Sequence, residues 1–260
     1  MYLPQLMARV EKGEKLAALT CYDASFARLL ADNAVDILLV GDSLGMTVQG
    51  HATTLAVTLE QMVYHTEAVA RGAGGRAFIV GDLPFGAYQQ SPQQACASAA
   101  RLLAAGANMV KLEGGAVMVE SVRFLVDRGI PVCAHLGLLP QSVNTTGYRS
   151  QGRDSGAAAR LIEDAEDLEA AGAQMLVLES IPSVLAEEVT QHLAIPTVGI
   201  GAGPHCNGQV LVLTDLLGLT EKPPRFAKDF MEGAWNIGNA IRGYVASVKA
   251  GEFPGPEHAF

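Results

Sequence analysis

Short aliphatic runs alternate with longer segments of helical period along the whole chain. The runs are KLAALTC (15–21), VDILLVG (35–41), RAFIVG (76–81), ANMVKL (107–112), PVCAHL (131–136), QMLVLE (174–179), IPTVGIG (195–201) and VLVLTD (210–215). Near-continuous apolar runs of this length predict strands buried on both faces, as in a parallel sheet covered by helices. The intervening segments carry helix punctuation. SPQQACASAARLLAAG opens on a Ser cap and a Pro and closes at Gly106, and DSGAAARLIEDAEDLEAAG runs from Asp154 to Gly172. Three helices end on similar phrases, AAGA, DRGI and AAGA, where a glycine turns the chain into the next strand.

Eight such units without a linker or a break in composition predict a closed (β/α)8 barrel of the TIM type, one domain spanning residues 1–260. An open doubly wound sheet would carry a glycine-rich turn after its first strand, whereas this strand ends in TCYDAS. The amphipathic segment at about 2–13 is expected to form a helix that plugs the N-terminal mouth, and 227–250 the last helix. Two connections, 44–57 and 137–154, are long for loops of a compact domain, leave the same barrel face and are expected to act as lids or binding loops.

Composition narrows the class of function. A net charge of −9 provides no basic stripe for phosphates, which argues against a nucleic-acid partner. No apolar stretch is long enough for a membrane span. Cys21, Cys96, Cys133 and Cys206 show no metal spacing and read as reduced thiols, so a cytoplasmic location is expected.

A barrel of this kind builds its site from the C-terminal ends of its strands. Those ends carry Tyr22-Asp23, Asp42-Ser43, Asp82, Lys111 with Glu113, His135, Glu179-Ser180, the glycines of GIGAG (199–203) and Thr214-Asp215. Asp42, Asp82 and Glu113 close neighbouring strands, and three converging carboxylates repel unless a cation joins them. Oxygen donors with room for water or substrate suit Mg²⁺ better than Zn²⁺. Lys111 and Glu113, two apart on a strand, share its inward face. The lysine could hold a substrate carboxylate beside the metal or form a Schiff base. Glu179, at the end of an apolar strand, is a candidate general base, and His135 a donor to an oxyanion or a substrate carboxylate. GIGAG follows the seventh strand, where barrels often bind anions, and is a weak signal by itself.

TCYDASFA, GDSLGM, GDLPFG, KLEGG, AHLGL followed by PQ, LVLE, and GIGAG followed by GQVLV occur in this order between residues 20 and 213. Together they resemble the ketopantoate hydroxymethyltransferase family over nearly the whole chain. The resemblance implies a cytoplasmic, Mg²⁺-dependent barrel enzyme of pantothenate synthesis, assembled as a homodecamer of two pentameric rings. It would transfer a hydroxymethyl group from 5,10-methylenetetrahydrofolate to 3-methyl-2-oxobutanoate through a Mg-stabilised enolate, giving 2-dehydropantoate and tetrahydrofolate. It further implies that Asp42, Asp82 and Glu113 hold the metal directly or through water. Asp42, Ser43, Asp82, Lys111 and His135 would contact the keto acid, and Glu179 would accept the proton. Leu139 stands where the family usually has Thr, and Asn207 where an Asp is usual. The nearest alternatives are a Mg-dependent C–C lyase of the phosphoenolpyruvate mutase/isocitrate lyase type and a Schiff-base aldolase using Lys111.

Overall fold

The computed structural model describes residues 1–260. Eight parallel strands, β1 (Leu16–Thr20), β2 (Ile37–Val40), β3 (Phe78–Asp82), β4 (Met109–Glu113), β5 (Val132–Gly137), β6 (Met175–Glu179), β7 (Thr197–Ile200) and β8 (Gly208–Leu211), close into a barrel in sequence order. Four of the eight expected runs contain the whole strand; β3, β4 and β5 each run one residue further, to Asp82, Glu113 and Gly137.

Successive strand residues face opposite sides, which explains why the runs are apolar throughout. Outward residues such as Leu19, Leu38, Ile79, Val110 and Leu178 pack in one core with the surrounding helices. Inward residues, among them Ala18, Ile37, Phe78, Val80, Met109, Cys133, Met175 and Val210, fill the lumen. The expected N-terminal plug is the helix Leu3–Glu11, whose Leu6 is fully buried in the lumen cluster. Asp36 fastens this end. Its carboxylate accepts hydrogen bonds from Ala17 N at 2.9 Å and Lys249 Nζ at 2.6 Å and pairs with the Arg9 guanidinium, so plug, β1 and the last helix share one anchor. At the β1–β8 seam the Tyr244 hydroxyl donates to the carbonyls of Ala18 (2.8 Å) and Gln209 (2.9 Å).

Helix starts follow local chemistry. Ser91 Oγ accepts from Gln94 N before Pro92–Ala104, and Asp154 Oδ1 from Ala157 N before Ser155–Ala170. Three expectations need correction. The eighth strand starts earlier, at Gly208, and stops at Leu211: Leu213 N donates to Thr20 Oγ1 and the chain turns into the short helix Leu213–Leu216, since a buried apolar run does not by its period separate strand from helix. Thr214 and Asp215 therefore lie in that helix and not at a strand end, with Asp215 buried and bonded to Thr220 Oγ1 at 2.5 Å. The last helix starts at Ile237 under an Asn236 cap; upstream, Asp229 Oδ1 bonds its own Met231 N and Phe230 is held edge-on by Tyr244 and Phe253, which keeps 227–236 irregular. Finally, the connections after β2 and β5 are partly structured, with helical turns Leu44–Thr47, Thr54–Ala56, Pro140–Ser142 and Val143–Thr146.

Candidate active site

The lumen-facing period continues to the C-terminal rim, and there its residue type changes. Val80 is followed on the same face by Asp82, Met109 by Lys111 and Glu113, Cys133 by His135, and Val177 by Glu179. Strand register then makes neighbours of them. Asp82 lies beside Lys111, Glu113 beside His135, and Gly137 beside Glu179.

Contacts follow this register. Lys111 Nζ donates to Asp82 Oδ1 at 2.9 Å. Asp42, just past β2, receives no such cation: its main-chain N–H donates to Asp82 Oδ2 at 3.2 Å, and its own carboxyl Oδ2 accepts from Gln141 Nε2 at 2.9 Å. Glu113 Oε2 accepts from Gln141 N at 3.0 Å, while Oε1 lies 3.5 Å from His135 Nδ1. His135 Nε2 is in turn 3.3 Å from Glu179 Oε2. The mouth thus holds a carboxylate–imidazole–carboxylate row next to a buried ammonium–carboxylate pair. Ser43 Oγ stands at the edge, 2.9 Å from the Tyr22 hydroxyl.

Burial and charge compete strongly here. Burial, then the neighbouring Asp82 charge, push the Asp42 carboxyl up to about 7 against the pull of Lys111. For Lys111, burial works against the charge, but Asp82, Glu113 and Asp42 together outweigh it and hold the ammonium above its ordinary range. Burial likewise disfavours charge on Glu113, and His135, Lys111 and the Gln141 N–H reverse it, so that carboxyl sits low. The His135 imidazole is raised, because Glu113 and Glu179 overcome burial and the repulsion of Lys111. Ser180, next to Glu179, takes a left-handed φ of +50°, unusual for a residue with a Cβ; its N–H donates to Ile200 O and its carbonyl accepts from Gln151 N. This turn fixes the chain that carries Glu179.

All seven residues singled out from the sequence, Asp42, Ser43, Asp82, Lys111, Glu113, His135 and Glu179, gather at this mouth. The three carboxylates do not converge on one point, and no set of three ligating side chains stands ready for an ion. The GIGAG turn does not open as a cradle: a Cβ at Gly201 would meet the Phe226 ring at 2.7 Å, and one at Gly203 the Ser183 Oγ at 2.0 Å, so the protein's own side chains fill it. Gln141, Tyr88 and Tyr148 escaped the strand-end reading because they sit in connections. Tyr88 Oη accepts from Glu113 N and donates to Gln141 Oε1, and Tyr148 Oη reaches Met46 Sδ at 3.9 Å, joining the connections after β5 and β2 across the mouth. Leu139 heads the turn Pro140–Ser142 without a side-chain cap. Asn207 is remote from the rim, its Oδ1 accepting from Thr197 N near the foot of β7.

Solved structures share the barrel. A phosphoenolpyruvate phosphomutase from Streptomyces platensis subsp. rosaceus superposes with a TM-score of 0.64 at 15% identity, covering 84% of this chain and 83% of that one. A 2,3-dimethylmalate lyase gives 0.59 at 21% identity, with 80% of each chain covered. Sequence similarity reaches further. A 3-methyl-2-oxobutanoate hydroxymethyltransferase from Thiobacillus denitrificans is 62% identical over 259 residues, 99% of this chain and 98% of that protein, and one from Methylobacillus flagellatus is 60% identical over 262 residues, the full length of both. With the ketopantoate hydroxymethyltransferase family model matching residues 1–256, the chain belongs to that family.

Proposed function

We propose that this chain transfers a hydroxymethyl group from 5,10-methylenetetrahydrofolate to 3-methyl-2-oxobutanoate, giving 2-dehydropantoate and tetrahydrofolate. The observation that carries the reading is the row Glu113–His135–Glu179 beside the Lys111–Asp82 pair, in a chain of this family. It supplies one carboxylate near the surface of the mouth for proton removal and buried cationic donors for a keto acid.

The donor set fits a hard divalent cation. Asp42 and Asp82 offer oxygen atoms only, burial and then the Asp82 charge raise Asp42, and Glu113 Oε1 with both His135 nitrogens are buried without an aligned hydrogen-bond partner. Two carboxylates without a third convergent ligand suit Mg²⁺, which keeps several waters, and not the closed set that Zn²⁺ takes. In this reading Asp42 and Asp82 hold Mg²⁺ and Glu113 acts through water. When bound, the cation would polarise the keto oxygen of the substrate.

The chain's own groups do the rest. Glu179, with 16% of its side chain exposed, takes the proton from C3 of the keto acid. His135, against Glu179 and Glu113, holds that carboxylate in place and faces the substrate oxygens. Lys111 keeps its proton and offers positive charge to the substrate carboxylate, and Ser43, oriented by Tyr22, is a further donor. A protonated, ion-paired Lys111 disfavours the Schiff-base alternative, since the nucleophile would be the free amine. The connections carrying Tyr148 and Met46 close over the mouth and keep water from the one-carbon electrophile. The same reading extends to a cytoplasmic homodecamer, for which the nearly fully exposed Trp235 (96%) and the exposed Val117, Val184 and Leu219 are surfaces a second copy would cover.

Proton NMR of 3-methyl-2-oxobutanoate in D₂O with the purified protein tests it. Loss of the C3 proton signal in Mg²⁺ and not in EDTA is the expected result. Exchange that persists in EDTA, or a keto acid untouched with and without tetrahydrofolate, would sink the reading.

A further inference from the structure

One residue stitches the connection after β5 to two carboxylates of the mouth, Asp42 through its side chain and Glu113 through its main chain. Gln141 is buried, at 6% exposure, and every polar atom of its amide is engaged. Nε2 donates to Asp42 Oδ2 and to Leu83 O, both at 2.9 Å, and Oε1 accepts from Tyr88 Oη at 2.7 Å. The amide's orientation follows from its partners. Leu83 O can only accept, so it must face the NH₂ group; Gln89 Nε2 can only donate and faces Oε1 at 3.1 Å, beside the Tyr88 hydroxyl. A glutamate here would set an acceptor against Leu83 O and Asp42.

We propose that Gln141 is a positioning residue through which the seating of the 137–154 connection controls divalent-cation affinity. The inference rests on the cation reading above. By occupying Asp42 Oδ2, the amide leaves Oδ1 to face a cation and fixes the rotation of the carboxylate; by donating to Glu113 Oε2, the main chain of the same residue fixes the second acid. Partners that orient ligands in this way are worth about 10–100-fold in metal affinity. Binding linkage is reciprocal: if a seated connection favours the cation, the cation favours the seated connection by the same factor. Arg149 and Arg153, both exposed, lie in the connection and report its seating as trypsin sites.

The experiment uses the purified full chain with Mn²⁺ alone as probe, free Mn²⁺ being read by EPR, and trypsin cleavage at Arg149 and Arg153 timed with and without the ion. Gln141→Met keeps the volume and removes the amide. The expected results are about 10–100-fold weaker Mn²⁺ binding in the variant, and protection of both arginines by Mn²⁺ in the wild type that is largely lost in the variant. Unchanged affinity in Gln141→Met, or a wild-type cleavage rate indifferent to Mn²⁺, overturns the proposal. Should circular dichroism find Gln141→Met unfolded, Tyr88→Phe takes its place, because it keeps Gln141 but removes the shorter of the two hydrogen bonds to Oε1 and leaves the one from Gln89 Nε2; a smaller loss of affinity is expected, and none overturns the proposal. A wild type that binds no Mn²⁺ removes the cation reading and this inference together, whereas wild-type binding with indifferent variants removes this inference alone.

Discussion

Lys111 Nζ stands 2.9 Å from Asp82 Oδ1 on the neighbouring strand, with only 5% and 4% of the two side chains exposed. Both charges have left water, so each depends on the other. Removing one strands its partner, which for a buried pair costs roughly 3–5 kcal/mol, whereas removing both costs less. Lys111→Ala is therefore expected to lower unfolding stability by about that amount, and Lys111→Ala with Asp82→Asn to recover part of it. Urea unfolding of the three proteins checks this. Because the ammonium is held charged, borohydride with the keto acid should leave the wild-type mass unchanged; a reduced adduct on Lys111 would contradict the assignment.

Glu179 is the most exposed acid of the row and its neighbour His135 lies 3.3 Å away. Glu179→Gln keeps the shape and removes the base. The C3 proton exchange should slow by about 10²–10⁴-fold, with the melting temperature little altered. Exchange at the wild-type rate would move the proton acceptor elsewhere.

The pH dependence of stability has a sign. Asp42 is raised from 3.8 to about 7 by burial and by Asp82, so between these values the folded protein keeps a proton that the unfolded chain has released. Its contribution is full below pH 4 and is lost as pH rises through 7. His135, also raised, loses its contribution in the same direction, and the low Glu113 contributes above about its ordinary 4.5 and does not oppose the trend between pH 5 and 8. Thermal unfolding in EDTA should therefore show the protein less stable at pH 8 than at pH 5. Under the cation reading, Mg²⁺ should raise the melting temperature more at pH 8, where Asp42 is ionised, than at pH 5.

At the opposite end of the barrel, Asp36 is 2% exposed and holds Arg9, Lys249 and Ala17 N together. Asp36→Asn should cost roughly 2–4 kcal/mol, below a fully buried pair because both cations keep contact with water. The mouth is untouched, so the exchange rate at 25 °C should stay at wild type. A matching loss of exchange would mean that the two ends are coupled.

Much of the fold was legible because it rests on local regularities. Apolar runs of strand length, glycine turns and Ser or Asp caps act within a few residues, and eight repeats of them close a barrel. The even period of a strand also determined that Lys111 and Glu113 share a face, and that the acids at the strand ends crown the lumen. Boundaries failed where a side chain competed with the pattern, as Thr20 does in turning the chain at Leu213.

What only the tertiary structure decided is how those groups meet. Register across the closed sheet puts Asp82 beside Lys111 and Glu113 beside His135, and thereby sets which carboxylate is neutralised and which is left to Asp42's raised pKa. Gln141 stands in the PQ motif that follows AHLGL, but its contacts were not legible there, since its partners lie 28 residues away at Glu113 and 99 away at Asp42. A hydrogen bond depends on distance in space, and that distance exists only after the barrel has closed and the β5 connection has folded across its mouth.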